Sequence, residues 1–268
     1  MSETQLFVAT AFTEIYERVL VPPLFRPFAE QLIASVARDR ADSVIDVACG
    51  TGIVARVARE RLGPEARIVG VDVAPAMLAV ARTADSTIDW RAGNAVALPV
   101  CAGEQFTVLT CHQGLQFMPD KPAAMRDMRR VLAPRGRVAI ATWASLEDLP
   151  EMRALNAIAE NHVGPIVDSR HSFGDRQALK SLMVDAGFNR VTVKTHAHDV
   201  RFADGALFAR LNAMAVMAMS DKGKAMSEAE RGQLAGQIAA ESADVIAKGT
   251  KNGSFVIPLT TNIATADV

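Results

Sequence analysis

The sequence predicts an α/β protein with a doubly wound, Rossmann-like sheet of seven strands and an added helical cap. Three observations lead there. A glycine turn joins an apolar strand to a helix at residues 44–62. Further strands and helices alternate up to residue 143, as in parallel sheets. Half of the 268 residues are hydrophobic, which suffices for one large domain or a domain with a cap.

The glycine turn predicts a nucleotide-like ligand. Val44–Val47 is short and mostly β-branched, and the helix after Gly52 has one apolar face. Gly50 and Gly52 allow the backbone to approach a ligand closely, since neither carries a Cβ atom. Asp72 ends the next strand, where its carboxylate can accept hydrogen bonds from both ribose hydroxyls of an adenosine ligand. On these residues alone, NAD and S-adenosylmethionine (SAM) both fit.

The other elements follow in order along the chain. Two helices, at 4–20 and 24–38, precede the first strand, and Pro22-Pro23 is expected to end the first of them. After the fifth strand the pattern predicts helices near 150–162 and 175–186, a strand at 191–195, two helices within 204–247 and a last strand at 254–264. We therefore expect N-terminal cap helices (1–40), a core (41–203), a helical insertion or cap (204–250) and a last core strand (251–268).

Composition excludes several classes of function. Lys and Arg number 29 and Asp and Glu 30, without a long basic run, which argues against nucleic acid. The three cysteines lack the pair spacing of a disulfide framework or zinc site, the histidines are scattered, and a reduced, cytoplasmic location is expected. The sequence shows neither a signal peptide nor an uncharged apolar run long enough to span a bilayer.

Several motifs occur in a fixed order. They are Asp46-Val-Ala-Cys-Gly50-Thr-Gly52, Val71–Leu78, Gly93-Asn94-Ala95 with Leu98-Pro99, Phe106–Cys111, Met125–Leu132 and Pro134-Arg-Gly136. Together they resemble the class I SAM-dependent methyltransferases, in particular the ubiquinone/menaquinone-biosynthesis (methyltransferase type 11) branch. The resemblance is specific over about residues 40–145. Ala48 stands where many members have the first glycine, and Asn94 where many have aspartate.

The resemblance implies a fold and an activity. The last strand would lie antiparallel between the fifth and the sixth, with the 204–247 helices inserted before it. The activity would be methyl transfer from SAM to oxygen, carbon or nitrogen of a small hydrophobic or aromatic molecule, with S-adenosylhomocysteine as product. No metal is expected, and a monomer and a homodimer both remain open.

Site residues are expected where parallel strands end, because ligands of such sheets lie beyond the carboxyl ends of the strands. The glycine turn would face the amino-acid part of SAM, Asp72 its ribose, and Asn94 with Ala95 its adenine. His112 follows the fourth strand, close to where the family places the methyl group. It could hydrogen-bond the SAM carboxylate, orient the acceptor or remove its proton, or it could simply be tied to the backbone at the strand end. The full cofactor-binding prediction is Tyr16, Asp46, Ala48, Gly50, Thr51, Gly52, Asp72, Val73, Met77, Gly93, Asn94, Ala95, His112 and Gln113.

Simpler roles remain open for some of these residues. Met77 could belong to the core, Tyr16 could be a half-buried packing residue, and Asp72 could cap the helix that opens at Pro75. Two other functions also compete. An NAD(P)-dependent oxidoreductase would normally show Gly-x-Gly-x-x-Gly, but position 55 is alanine. A non-catalytic, SAM-binding regulatory protein would share every cofactor motif.

Overall fold

The structure is a computed structural model that describes residues 12–38 and 42–268. The start of the predicted first helix and the boundary predicted at 40/41 lie outside the described residues. The chain forms two compact units. The first, here called the sheet unit, comprises Thr13–Ala144, Phe173–His196 and Thr260–Val268. The second, the helical unit, contains Ser145–Ser172 and Ala197–Leu259. The four-part division expected from the sequence stays a prediction.

The strands form one mixed sheet with the order β3-β2-β1-β4-β5-β8-β6. Strands β1 to β5 pair in parallel, and β8 is antiparallel to β5, so the predicted topology is confirmed. A two-residue strand, β7, pairs with β8 and adds an eighth strand to the seven expected. The strands are β1 (Val44–Val47), β2 (Ile68–Asp72), β3 (Asp89–Ala92), β4 (Phe106–His112), β5 (Leu132–Trp143), β6 (Asn189–Phe202), β7 (Thr250–Lys251) and β8 (Ser254–Asp267).

Helices cover both faces of the sheet unit. The helices of this unit are α1 (Phe12–Ile15), α2 (Arg26–Val36), α3 (Ile53–Leu62), α4 (Pro75–Ala84), α5 (Lys121–Arg130) and α7 (Arg176–Asp185). Buried side chains of α2 and α3 share one apolar cluster with Val44 and Val108, and those of α5 and α7 share another with Ile45 and Leu109. Alternate residues of a strand face opposite sides, so Asp46 and Thr110 lie on the α2/α3 face.

The helical unit has its own core. Its helices are α6 (Pro150–Val163), α8 (Gly205–Met219), α9 (Asp221–Ala225), α10 (Glu228–Glu241) and α11 (Ala243–Gly249). Ala159 of α6, Val216 and Met217 of α8, and Ala235 and Ile238 of α10 pack together. The segment in which two helices were expected, 204–247, forms four. No helix within the described ranges is long and apolar enough to cross a membrane.

The expectation that Pro22-Pro23 ends the first helix is wrong. A ten-residue π-helix, Tyr16–Phe25, contains both prolines and leads directly into α2. The amide of Arg26 donates to the carbonyl of Val21, five residues back. This wider bond passes over both prolines, neither of which has an N–H group to donate. The N-terminal segment therefore remains helical from residue 12 to residue 36.

Two glycines make room for the indole ring of Trp90. A Cβ atom on Gly52 would lie 2.3 Å from Trp90 Cη2, and one on Gly70 would lie 2.3 Å from Cζ3. The ring is buried, and its Nε1 donates to the carbonyl of Asp85 at 2.8 Å. Gly52 is thus required for packing beneath the glycine turn as well as for its backbone conformation.

Gly70→Ala should lower the free energy of unfolding by roughly 1–3 kcal/mol, because the added methyl overlaps a ring that cannot move freely. Gly236→Ala in α10 is the control, for which the free energy of unfolding should rise. No atom lies within 4 Å of its added Cβ, so the helix should gain about 0.5–1 kcal/mol. Urea unfolding of the two variants measures both changes. Unchanged stability of Gly70→Ala would contradict the packing described for Trp90.

Candidate active site at the carboxyl edge of the sheet

The turn between β1 and α3 adopts the left-handed conformation at three residues. Ala48 has φ 56°, Gly50 φ 54° and Gly52 φ 89°. Alanine rarely adopts this conformation, so glycine at position 48 would be less strained. Its methyl group has space because a glycine faces it: a Cβ on Gly114 would lie 2.5 Å from Ala48 Cβ. A Cβ on Gly50 would meet no atom within 4 Å, so the backbone here borders open space.

Asp72 connects this turn to the second strand. Its Oδ2 accepts a hydrogen bond from the amide of Gly50, and its Oδ1 accepts one from the amide of Ala74, both at 2.8 Å. Ala74 directly precedes α4. The carboxylate therefore fixes both the glycine turn and the start of the helix. Each oxygen keeps a second lone pair that can accept from a ligand hydroxyl.

Asp46 is a buried carboxyl group at the end of β1, with only 1% of its surface exposed. Thr110 Oγ1 donates to its Oδ1 at 2.8 Å, whereas Oδ2 has no hydrogen-bond partner among the described residues. Burial raises the pKa of Asp46 to about 7. A carboxyl group that is half ionised at neutral pH, with one free oxygen, suits contact with a positively charged ligand group.

The N-terminal π-helix is attached to the glycine turn through Arg56. Arg56 Nη2 donates a hydrogen bond to Glu17 Oε1 at 2.6 Å, and Arg56 Nη1 donates one to the carbonyl oxygen of Thr51 at 2.5 Å. Burial, followed by the nearby carboxylates of Glu17 and Asp72, raises the pKa of Tyr16 above its usual value. A contact of Tyr16 with the ligand of Asp72 stays a prediction.

The residues predicted to face adenine lie at the ends of β2 and β3. Val73 is 72% exposed, an unusual state for a large apolar side chain, and Met77 is half-buried. The amide of Gly93 donates to the carbonyl of Asp72, which places the Gly93-Asn94-Ala95 segment beside it. Asn94 Oδ1 already accepts from the amide of Val96 at 3.1 Å. The exposed side chain of Asn94 is therefore held in a local turn.

His112 lies at the end of β4 among aromatic rings. The Phe25 ring meets its imidazole edge-on at 6.1 Å between centroids and lies 6.0 Å from the Trp143 ring. Tyr16 lies 5.0 Å from Phe25. Burial lowers the pKa of His112 to about 3, so the imidazole is neutral at physiological pH. Its Nε2 is buried and has no hydrogen-bond partner among the described residues.

Further unpartnered polar atoms lie along the same edge of the sheet. They are buried and lack a hydrogen-bond partner within the described ranges: Glu17 Oε2, Thr51 Oγ1, Gln113 Oε1, Gln116 Oε1 and Nε2, and Thr142 Oγ1. A buried polar atom without a partner costs roughly 1–3 kcal/mol. Proteins rarely leave so many together unless a ligand or water satisfies them. Within the described parts of the chain, no three His, Cys, Asp or Glu side chains form a group that could hold a metal ion.

Comparison with known proteins decides the family. Residues 44–136 match the model of a methyltransferase domain. The chain is 33% identical over 168 residues to a 2-phytyl-1,4-naphthoquinone methyltransferase of Thermosynechococcus vestitus, covering 56% of this chain and 73% of that protein. The chain belongs to the class I SAM-dependent methyltransferases of the quinone-biosynthesis type.

Other relatives agree with this assignment. A ubiquinone/menaquinone biosynthesis C-methyltransferase of Shewanella frigidimarina is 30% identical over 168 residues, which cover 55% of this chain and 66% of that protein. Phosphoethanolamine N-methyltransferase 2 of Haemonchus contortus, solved with S-adenosylhomocysteine, has the same fold, with a TM-score of 0.58 and 16% identity. That match covers 95% of this chain and 56% of the other. This methyltransferase family uses SAM, and nothing supports the oxidoreductase alternative.

The sheet unit fits SAM. The free oxygen of Asp46, the buried hydroxyl of Thr51 and the open space beside Gly50 meet at one turn, where a small polar ligand with a positive charge finds hydrogen-bond partners and a complementary charge. The predicted residues around the turn, at Asp72 and at His112 lie on one edge of the sheet. Sequence reasoning missed Glu17, Arg56, Phe25, Gln116 and Thr142. Thr142 lies one residue before the end of the fifth parallel strand, and that position is the signal that could have found it.

The stability of the protein should fall as the pH rises from about 4 to about 7 because of Asp46. Its pKa of about 7 in the folded state exceeds the ordinary value, so the folded chain holds a proton that the unfolded chain has already lost. The stabilisation is complete below about pH 4 and is lost as the pH rises through 7, by at most about 1.4 kcal/mol per pH unit. Urea unfolding of the wild type and Asp46→Asn isolates this contribution, since the amide does not titrate. Thr110→Val removes a hydrogen bond that lowers the pKa of Asp46, so the fall in stability should shift to higher pH.

Asp72→Ala should lower both stability and SAM affinity. The loss of two hydrogen bonds to the chain's own amides destabilises the turn, and the loss of the ribose contact should weaken SAM about a hundredfold. Asp120→Ala is the matched control. Its Oδ1 caps α5 by accepting from the amide of Ala123 at 2.8 Å, so it should cost about 1 kcal/mol of stability alone. Calorimetric titration and thermal unfolding separate the two effects. Equal SAM affinity in both variants would move the ribose site away from Asp72.

Proposed function

We propose that this methyltransferase transfers the methyl group of SAM to a carbon atom of a small, uncharged aromatic molecule of the quinone class. The observation that carries the proposal is the neutral imidazole of His112, which has a free, buried Nε2 beside the rings of Phe25 and Trp143. Such a surface offers a flat ring apolar contact on one side and a single hydrogen bond on the other.

The aromatic cluster supports a ring-shaped acceptor. Phe28 extends it, because its ring meets Trp143 edge-on at 5.3 Å. Aromatic groups favour such edge-to-face and offset contacts at centroid distances of about 4.5–7 Å. Ligand sites for apolar molecules commonly combine an aromatic lining with a few polar atoms. The near balance of 29 basic and 30 acidic residues supports a small molecule rather than nucleic acid.

The names of the relatives support the same class of acceptor. Two of them are described as methyltransferases of naphthoquinone or ubiquinone/menaquinone biosynthesis, and one specifically as a C-methyltransferase. The match to the methyltransferase-domain model, over residues 44–136, includes the glycine turn and the residues after β4. The amine methyltransferase is similar in fold alone, at 16% identity, and gives no support to an amine acceptor.

The residues of the site have separate tasks. Bound SAM supplies a methyl group that its sulfonium already activates. The turn at Gly50 and the carboxylates of Asp46 and Asp72 would bind the cofactor and fix its direction, while the π-helix with Tyr16 and Phe25 would exclude water. His112 would orient the acceptor by a hydrogen bond. With a pKa of about 3 it is too weak a base to take a proton efficiently near pH 7.

The test is turnover with 1,4-dihydroxynaphthalene under anaerobic conditions, with S-adenosylhomocysteine measured by mass spectrometry and the methylated atom located by NMR. His112→Gln keeps a neutral donor and acceptor and should retain activity within about tenfold, whereas His112→Leu should lose about a hundredfold or more. Neither change should alter SAM affinity by more than about threefold.

Three outcomes would contradict the proposal. A limb of the pH–rate profile near 6.5 that disappears in His112→Gln would make His112 a general base. Methylation only at oxygen would overturn the choice of carbon. Tight SAM binding without turnover on any dihydroxy-aromatic compound would favour a non-catalytic SAM-binding protein.

A further inference from the structure

Gln113, the residue after His112, holds its carboxamide in one orientation. The side chain is buried, and its backbone lies in the left-handed region with φ 55°. Its Nε2 and the Oγ1 of Thr261 are 2.8 Å apart, and the Oγ1 of Thr261 is 3.0 Å from the carbonyl oxygen of Thr142. The ends of β4 and β5 are thus connected to the middle of β8 through one hydroxyl group.

The direction of each hydrogen bond follows from the donors available. A carbonyl oxygen can only accept, so the single proton of the Thr261 hydroxyl is used on Thr142. The hydroxyl must then accept from Gln113, which requires the NH₂ side of the amide to face it. The amide oxygen consequently points the other way. That oxygen, Oε1, is buried and lacks a hydrogen-bond partner among the described residues.

The hydrogen bond to Thr261 directs the side chain of Gln113 away from the cofactor turn. Thr261 pairs with Trp143 across β8 and β5, whereas Asp46 lies on β1 and Asp72 on β2. In the strand order β2-β1-β4-β5-β8, three strand spacings separate β8 from β1, about 14 Å, and four separate it from β2. The carboxamide of Gln113 is therefore held toward the side of the site that carries Trp143, although the backbone of this residue follows β4, the neighbour of β1.

We propose that Gln113 recognises the methyl acceptor, that its Oε1 accepts a hydrogen bond from a hydroxyl group of that molecule, and that Thr261 is the positioning residue. This inference rests on the proposed function and replaces the cofactor contact expected for Gln113 from the sequence. The fixed amide oxygen selects a donor, so a hydroxyl-bearing ring binds and an ether or ketone at the same position leaves Oε1 without a partner.

The neighbouring side chains restrict the acceptor to an uncharged molecule. His112 is neutral, and Gln116 and Thr142 are uncharged, buried and have free polar atoms within the described ranges. A carboxylate would place negative charge against the lone pairs of Oε1. An ammonium group would lose its hydration without gaining a counter-charge from these side chains.

The experiment compares binding of 1,4-dihydroxynaphthalene and 1,4-dimethoxynaphthalene by calorimetry, without oxygen and with S-adenosylhomocysteine bound. The wild type should bind the dihydroxy compound about ten times more tightly or better, since the ether leaves a buried acceptor unsatisfied. In Thr261→Val the amide is free to turn, and the preference should fall below about threefold. Thr261→Ser restores the hydroxyl and should restore the preference.

Two further variants complete the design. Thr265→Val is the matched control on β8, because the Thr265 hydroxyl meets Thr192 at 2.9 Å on an exposed part of the sheet; it should keep the wild-type preference. Gln113→Met removes the amide at similar size and should abolish the preference even if Thr261→Val folds poorly. A full preference in Gln113→Met would overturn the inference while leaving the proposed function intact. A wild type that binds S-adenosylhomocysteine but neither naphthalene would overturn the proposed function, and this inference with it.

Discussion

The carboxylate of Asp72 holds the site together. Its two oxygens accept from the amides of Gly50 and Ala74, so one side chain fixes the turn after β1 and the start of α4. The turn includes Ala48 in a conformation that costs an alanine roughly 1–2 kcal/mol. Such a conformation persists only where surrounding bonds determine it. The parallel pairing of β1 with β2 brings the carboxylate within reach of the turn, and the two features therefore support each other.

Acidic groups outnumber basic ones around this turn. Asp46, Asp72 and Glu17 approach it, and Arg56, which is committed to Glu17 and the Thr51 carbonyl, is the cation tied to it by the described hydrogen bonds. Burial keeps Asp46 partly protonated, which limits the repulsion between these carboxylates. A cationic cofactor bound at the turn offsets this repulsion between carboxylates because it supplies a positive charge. On the other side of the site the polar side chains are uncharged. One half of the site is acidic and the other is uncharged, which matches a positively charged methyl donor and a neutral methyl acceptor.

The sequence predicted what local patterns encode. β-branched runs gave the strands, and the ends of the parallel strands gave Asp46, Asp72 and His112. The antiparallel position of β8 came from family resemblance rather than from its residues. Contacts between residues that are far apart along the sequence could not be predicted. Arg56 reaches Glu17 across 39 positions and Gln113 reaches Thr261 across 148. The π-helix was missed because proline was taken to end a helix, whereas a wider hydrogen bond passes over it.

The insertion of β8 between β5 and β6 orders the events of folding in the cell. Residues 44–143 can pair as neighbours while the ribosome is still translating, since those five parallel strands follow one another closely along the chain. The slot between β5 and β6 is filled only after residues 254–267 have been synthesised. Until then, β5 and β6 expose strand edges that could pair with another chain. The cofactor half of the site can thus form on a growing chain, whereas Thr261 reaches its partner only after β8 has been synthesised.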